Sequence, residues 1–197
     1  MRAALASPAC DGLEFDIRGA KDGTPILLHD ETLARVQGRP ERPAQLSVDE
    51  LAELGVPTLE SVLDLAGRTT FLDIELKGEP LRGVIEVVEH FRGPSLERTV
   101  ISSFEPETLA WVAERRPAWT RWLNVEDLDA ATLTRALELG CQAVSVDWRA
   151  ITRPGLHRLA AAGLAWAAWT VRRSATAARL DRLGAVAVCV EATALDG

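Results

Sequence analysis

The segment at positions 71–77 reads FLDIELK, and apolar and polar side chains alternate along it from Leu72 onward. A two-residue period of this kind is typical of a β-strand. A stretch with helical periodicity follows at 81–91, and a second strand-like segment, TVISSF, follows at 99–104. A strand, a helix and a strand in this order predict two parallel strands joined by a crossover helix.

The same strand–helix unit recurs along the chain. Strand-like segments are predicted at 13–17, 25–29, 71–77, 99–104, 120–125, 143–148, 165–171 and 185–190. Most of them are separated by stretches with helical periodicity, at 58–66, 81–91, 106–115, 129–139, 153–162 and 174–183. Repeated alternation predicts an α/β fold, a TIM-type (β/α) barrel that forms one domain over residues 1–197.

One connection breaks this alternation. Too few residues lie between Ile17 and Pro25 for a parallel crossover, and the Asp-Gly pair between them is a turn signal. The sequence therefore predicts an antiparallel hairpin at the barrel mouth, with a loop at 19–24, His29 roughly opposite Glu14 and Leu27 opposite Asp16. Because one of the eight segments is used in the hairpin, the predicted barrel is one strand short.

Composition limits the class of protein. The 197-residue chain is 47% hydrophobic and 26% charged, with a net charge of −7, which excludes a disordered tail. It has no basic stripe for nucleic acid, no apolar run long enough for a membrane span, and no secretory signal pattern at its start. Its three isolated cysteines predict small buried residues rather than a disulfide framework. We expect a cytoplasmic protein without a nucleic-acid partner.

Charged side chains share one face of two predicted strands. Glu14 and Asp16 are two residues apart, and so are Asp73, Glu75 and Lys77. Because ionised groups inside a barrel need partners, Glu14, Asp16 and Glu75 predict a site for a hard cation such as Mg²⁺ or Ca²⁺. Lys77 would add a positive charge suited to a phosphate oxygen. An internal ion-pair network or a solvated face is the alternative.

His29 ends a predicted strand, and the predicted hairpin places it beside Glu14 and Asp16. A histidine near a metal is a candidate general acid or base, because imidazole titrates near neutral pH. A structural histidine is the alternative. His90 is predicted near the end of one helix and His157 near the start of another, where we expect a surface position.

Several motifs follow one another over nearly the whole chain. They are LEFDIR at 13–18, KDGTPILLHDETL at 21–33, VPTLESVL at 56–63, LDIELK at 72–77, ISSF at 101–104 and AWTV at 168–171. Together and in this order they resemble the motifs of the glycerophosphodiester phosphodiesterases. The resemblance implies a TIM barrel that hydrolyses a glycerophosphodiester, such as a deacylated phospholipid, to glycerol 3-phosphate and an alcohol.

The same resemblance implies roles for particular residues. Glu14, Asp16 and Glu75 would hold a divalent cation, Mg²⁺ or Ca²⁺, and Lys77 would hold phosphate oxygens. His29 matches one of two catalytic histidines, the one that protonates the leaving alkoxide.

Other matches to the family motifs concern aromatic side chains. Trp169 would pack on the glycerol moiety, with a core tryptophan as the alternative, and Ser103 and Phe104 match a motif that serves packing.

The family's first strand, which carries the other catalytic histidine and an arginine, has no counterpart in this sequence. One hypothesis is a hydrolase whose first strand is encoded upstream of Met1. A second is a non-catalytic barrel that binds a phosphorylated ligand or metal. A metal-dependent lyase or aldolase is disfavoured, because Lys77 lies beside Glu75 in a strand. The open barrel edge predicts either poor solubility of the isolated chain or a homodimer that pairs through this edge.

Overall fold

The computed structural model describes residues 1–78 and 81–191. The strands are β1 Gly12–Gly19, β2 Pro25–Leu27, β3 Phe71–Leu76, β4 Thr99–Ser103, β5 Arg121–Val125, β6 Ala143–Asp147, β7 Ala165–Val171 and β8 Ala187–Val190. The helices are α1 Arg2–Leu5, α2 Ala34–Gln37, α3 Val48–Glu53, α4 Leu59–Ala66, α5 Arg82–Arg92, α6 Pro106–Arg115, α7 Ala130–Glu138, α8 Arg153–Ala161 and α9 Ser174–Arg182. The predicted strands and helices are all confirmed, with ends that differ by two residues or fewer.

The chain divides into two compact units. The first unit is Gly12–Val100 together with Arg2, and the second contains Ala3–Asp11 and the residues from Ile101 onward. The single domain over residues 1–197 stays a prediction, and positions 79–80 and 192–197 within it lie outside the described residues.

The predicted hairpin of the first unit is confirmed, but its register differs from the prediction by one residue. Gly19 pairs with Pro25, so the loop between the strands has five residues rather than six. The prediction that Leu27 lies opposite Asp16 is therefore wrong, because Leu27 pairs with Ile17, and the same one-residue shift moves the expected position of His29 away from Glu14. Strand β2 also ends at Leu27, two residues before His29.

Strands β1 and β3 run parallel and place two pairs of carboxylates side by side. Glu14 lies opposite Asp73, and Asp16 lies opposite Glu75. The alternate side chains are buried and apolar: Leu13, Phe15 and Ile17 in β1, and Leu72, Ile74 and Leu76 in β3. The predicted division into an acidic face and an apolar face is confirmed for both strands.

A small hydrophobic cluster packs beside the hairpin of the first unit. Its members are Ala20, Ile26, Leu28, Leu33, Leu46, Leu51 and Val56. Helix α3 begins next to this cluster with a capping box, in which the Glu50 N–H donates to Ser47 Oγ and the Ser47 N–H donates to Glu50 Oε2. The second arm of the hairpin therefore packs against the segment that contains α3.

The second unit repeats the strand–helix alternation without a hairpin. From Ile101 onward, β4 to β8 pair in parallel, each with the next strand along the chain. The core between strands and helices includes Leu109, Val144, Val146, Leu159 and Leu180, all fully buried. Parallel strands covered by helices are buried on both faces, which explains the nearly continuous apolar sequences of β6 and β7.

A buried arginine ties the loops of the second unit together. The Arg121 guanidinium donates to the carbonyl oxygens of Arg116, Pro117 and Trp119, and Nη2 donates to the Gly140 carbonyl at 3.1 Å. Burial lowers the pKa of Arg121 below its ordinary value. The side chain thus adds donors to these loop carbonyls, of which that of Arg116 also accepts from the Trp119 N–H and that of Gly140 also accepts from Gln142 Nε2.

The three cysteines differ in burial. Cys141 is buried, whereas Cys10 and Cys189 are half-buried, so the prediction of buried cysteines is wrong for these two. Cys10 lies in the segment before β1, and Cys189 lies in β8, whose residues are all half-buried.

Among the described residues, no helix combines the length and the apolar character that crossing a membrane requires.

Candidate active site

The three predicted metal ligands lie together in the first unit. Glu14, Asp16 and Glu75 each offer a carboxylate oxygen, and these atoms all lie within 4.8 Å of one another. Glu14 is exposed, Asp16 is half-buried and Glu75 is buried. The parallel register of β1 and β3 produces this cluster, because alternate residues on adjacent strands point to the same face.

Lys77 contacts two members of this carboxylate cluster. Its Nζ lies 3.1 Å from Asp16 Oδ1 and donates a hydrogen bond to Glu75 Oε1. The Lys77 N–H donates to the Ile17 carbonyl at 3.0 Å, which holds the lysine beside β1. Burial alone would lower the pKa of Lys77, but the hydrogen bonds and negative charges of Glu75 and Asp16 outweigh it and raise that pKa.

The geometry of the cluster fits a hard divalent cation. Oxygen ligands lie about 2.1 Å from Mg²⁺ and about 2.3–2.6 Å from Ca²⁺, so two ligands of one ion lie at most about 4–5 Å apart. The separations within the cluster, up to 4.8 Å, agree with this range. A divalent cation would also offset the repulsion between three carboxylates at such short distances.

His29 lies beyond the end of β2 and outside the carboxylate cluster. Its side chain is 65% exposed, and Nδ1 lies 2.8 Å from Asp30 Oδ1. The backbone of this segment is fixed to β1, because Leu28 N–H donates to the Asp16 carbonyl at 3.1 Å. Arg18 Nε and Nη2 donate to the His29 carbonyl at 3.1 and 3.0 Å.

Asp30 forms an ion pair with Arg35 in α2. Arg35 Nε donates to Asp30 Oδ2 at 2.6 Å, and Nη2 donates to Oδ1 at 3.1 Å. The hydrogen bond from Arg35, followed by that from His29, lowers the pKa of Asp30 to about 2. Sequence reasoning left both residues without a role, although an aspartate directly after a candidate catalytic histidine is a signal for such a pair.

Trp169 lies near the end of β7 in the second unit and is half-buried. Its Nε1–H donates to the Ser145 carbonyl at 2.9 Å, and its ring contacts Phe104 edge-on with centroids 5.4 Å apart. Ser103 is fully buried, and its hydroxyl donates to Glu105 Oε2 at 2.7 Å. The packing expected for Ser103 and Phe104 agrees with these contacts.

The other two histidines lie in helices. His90 is in the last turn of α5 and contacts the Phe91 ring edge-on, with centroids 5.1 Å apart. His157 is an exposed residue of α8, as predicted.

The sequence matches the model of the glycerophosphoryl diester phosphodiesterase family over residues 1–195. The chain belongs to this family. The family resemblance found in the sequence motifs is thereby confirmed over nearly the whole length of the chain.

Individual relatives have lower coverage than the family model. The chain is 30% identical over 138 residues to YqiK of Bacillus subtilis, a protein described as uncharacterized, and the match covers 60% of this chain and 56% of YqiK. It is 28% identical over 127 residues to a glycerophosphodiester phosphodiesterase of Caldanaerobacter subterraneus, covering 54% of this chain and 51% of that enzyme. The chain thus spans about half the length of the curated relatives it matches.

Solved structures agree with the fold. A phosphodiesterase of Oleispira antarctica, in complex with the product sn-glycerol-3-phosphate, is similar with a TM-score of 0.83 and 23% identity, covering 95% of this chain and 84% of that one. The glycerophosphodiester phosphodiesterase of Thermotoga maritima gives a TM-score of 0.81 and 20% identity, covering 98% and 87%. These likenesses confirm the predicted α/β fold class of the TIM type.

Proposed function

We propose that the chain is a metal-dependent phosphoric diester hydrolase, which cleaves glycerophosphodiesters to glycerol 3-phosphate and an alcohol. The observation that carries this proposal is the cluster of Glu14, Asp16 and Glu75 with the Lys77 ammonium against it. Family membership and the relatives named glycerophosphodiester phosphodiesterase support the substrate class, and deacylated phospholipids are its natural members.

The carboxylate cluster holds a divalent cation, Mg²⁺ or Ca²⁺. The cation, when bound, supplies positive charge that stabilises the developing charge on the phosphate. Lys77 provides a second positive charge at the same place, since its ammonium has a raised pKa and stays protonated at neutral pH. Its contacts with Asp16 and Glu75 orient the ammonium so that it can donate to a phosphate oxygen.

His29 acts as the general acid. As a water oxygen bonds to phosphorus and gives up a proton to solvent, the bond between phosphorus and the leaving oxygen breaks and its electron pair passes to that oxygen. Nε2–H of the imidazolium delivers the proton to the leaving oxygen. The exposure of the His29 side chain supports this role, because the ring is accessible to a substrate. Trp169, half-buried in the second unit, offers an indole face for the glycerol moiety.

Release of glycerol 3-phosphate from glycerophosphocholine tests the proposal, with Mg²⁺ or Ca²⁺ added to the purified protein. We expect turnover that is lost in His29→Ala and kept in His157→Ala, the exposed control histidine. Turnover equal in His29→Ala and the wild type would refute the role of His29. Tight binding of glycerol 3-phosphate without turnover would favour the non-catalytic alternative.

Two expectations from the sequence stay predictions. The homodimer is tested by sizing with light scattering, and the cytoplasmic location by fractionation of cells.

A further inference from the structure

We propose that Asp30 is a positioning residue that selects the tautomer of His29, and that Arg35 holds Asp30 in place for this task. The consequence for catalysis rests on the function proposed above, whereas the tautomer itself is a property of the folded protein. The three residues form one connected arrangement in the first unit, in the order Arg35, Asp30 and His29.

The proton in the hydrogen bond between Asp30 and His29 belongs to the imidazole. Asp30 is ionised at neutral pH, because Arg35 and His29 lower its pKa to about 2. An ionised carboxylate only accepts hydrogen bonds, so at 2.8 Å the His29 Nδ1 must carry the proton that is shared with Oδ1. The neutral imidazole is therefore the Nδ1–H tautomer, and Nε2 is the nitrogen available for reaction.

Arg35 fixes the orientation of the Asp30 carboxylate. Arg35 approaches Asp30 with two donors, Nε at 2.6 Å from Oδ2 and Nη2 at 3.1 Å from Oδ1. A two-point contact between the planar guanidinium and a carboxylate restricts rotation of the carboxylate more than a single contact does. Oδ1 is shared by Arg35 and His29, so the orientation set by the arginine is also the orientation that the imidazole meets.

The orientation of the His29 ring depends on its backbone and on Asp30. The His29 carbonyl receives two hydrogen bonds from Arg18, which fixes the backbone from which the ring extends. In the part of the chain that the structure describes, Asp30 is the hydrogen-bond partner of the His29 ring. Because the side chain is 65% exposed, packing alone leaves the ring free to rotate. Asp30 therefore determines both which nitrogen is protonated and where Nε2 points.

This arrangement suits a general acid. The imidazolium carries protons on both nitrogens, gives the Nε2 proton to the leaving oxygen and keeps the Nδ1 proton, which stays hydrogen-bonded to Asp30. The neutral tautomer that remains is the one that Asp30 already favours. Removing a partner of this kind behind a reacting group lowers activity by about 10–100-fold in metal sites, which gives the scale expected here.

The test is nitrogen NMR of the protein labelled with ¹⁵N at its histidines, His29, His90 and His157. Spectra are taken at about pH 8.5, roughly two units above the ordinary imidazole pKa. We expect His29 to be mainly the Nδ1–H tautomer in the wild type and to shift toward Nε2–H in Asp30→Ala. The matched control is Asp64→Ala, at an exposed position of α4, which should leave the His29 signals unchanged.

Arg35→Met provides a second variant that leaves Asp30 in place, at an exposed arginine whose loss leaves the core intact. We expect an intermediate tautomer ratio. A wild-type His29 that is mainly Nε2–H, or a ratio unchanged in Asp30→Ala, would overturn the inference.

Kinetics separate this inference from the proposed function. With glycerophosphocholine, Asp30→Ala should lower kcat about 10–100-fold while KM stays within about twofold, because Asp30 acts through His29 rather than on the substrate. If the wild type shows no turnover, the proposed function fails, but the tautomer measurement still decides the inference. A kcat equal to that of the wild type would refute the positioning role in catalysis.

Discussion

Replacing Lys77 by methionine removes the ammonium that contacts Asp16 and Glu75 but keeps a side chain of similar length. The three side chains are only 13%, 16% and 9% exposed, in the order Lys77, Asp16 and Glu75. Solvent therefore screens the interaction weakly. We expect the variant to leave the carboxylates facing one another without this cation and to lower the free energy of unfolding.

The magnitude follows from the distance and the burial. For Lys77 Nζ and Asp16 Oδ1 at 3.1 Å, Coulomb's law with an effective dielectric constant of about 20 gives roughly 5 kcal/mol of attraction. Desolvation of the ammonium offsets part of this attraction, and losing one partner of a buried ion pair costs about 3–5 kcal/mol. We expect a loss of about 3 kcal/mol, which corresponds to a fall in Tm of roughly 6–12 °C for a chain of this size.

Urea unfolding followed by circular dichroism measures this loss, since urea adds no ions that would screen the pair. The buffer contains a chelator so that no divalent cation replaces the ammonium. The matched control is Lys21→Met, because Lys21 is the chain's other lysine and is exposed, and we expect a change within about 0.5 kcal/mol. A Lys77→Met protein as stable as the control would refute the interpretation of this ion pair.

The same variant predicts a pH dependence. The folded-state pKa of Lys77 lies above its ordinary value, so the folded protein binds this proton more tightly than the unfolded chain. The stabilisation is therefore fully present below the unfolded-state pKa of about 10.4 and is lost as the pH rises through the higher folded-state value. The difference between wild type and Lys77→Met should stay constant from neutral pH to about pH 9.5.

Three further predictions concern other contacts. Glu75→Gln should weaken Mg²⁺ or Ca²⁺ binding at least tenfold in calorimetry, with the exposed Glu86→Gln as a control that binds normally. Arg35→Ala should move the Asp30 pKa from about 2 toward its ordinary value of about 3.9, as seen by carboxyl ¹³C NMR. Because that folded-state pKa is lowered, the stabilisation is present above about pH 4 and lost as the pH falls toward 2. Arg121→Met should lower the free energy of unfolding by about 3 kcal/mol in urea, because the Trp119 carbonyl loses a buried hydrogen bond and the Gly140 carbonyl loses one of its two side-chain donors; no change would contradict the bonds assigned to Arg121.

The strands and the metal ligands could be predicted because regular structure fixes the direction of each side chain. Alternation along β1 places Glu14 and Asp16 on one face of that strand, and alternation along β3 places Asp73 and Glu75 on one face of the other. The distance between the carboxylates then follows from the pairing of β1 with β3 and the spacing of paired strands. The two-residue period thus predicts the shared faces, and the parallel pairing brings the three ligands together.

The register of the hairpin could not be predicted in the same way. Both a five-residue and a six-residue loop are consistent with an Asp-Gly turn, and the difference lies in whether Gly19 belongs to the strand. In the structure Gly23 adopts a φ of +81°, and the Ala20 N–H donates to the Thr24 carbonyl at 2.9 Å. These backbone contacts, rather than side-chain periodicity, set the loop length and so the partner of every residue in β2.

The arrangement of Arg35, Asp30 and His29 shows why the rest of the site was missed. His29 and Asp30 lie after the last residue of β2, and Arg35 lies in the short helix α2, so no repeating hydrogen-bond pattern relates their side chains. Their approach depends on the turns between 28 and 34, which the sequence alone leaves undetermined. What the sequence does contain is the chemistry: an imidazole, an adjacent carboxylate and a guanidinium within seven residues. A candidate catalytic histidine should therefore be considered together with the charged residues of its own loop, since a short loop keeps them near one another and its turns then decide which of them form contacts.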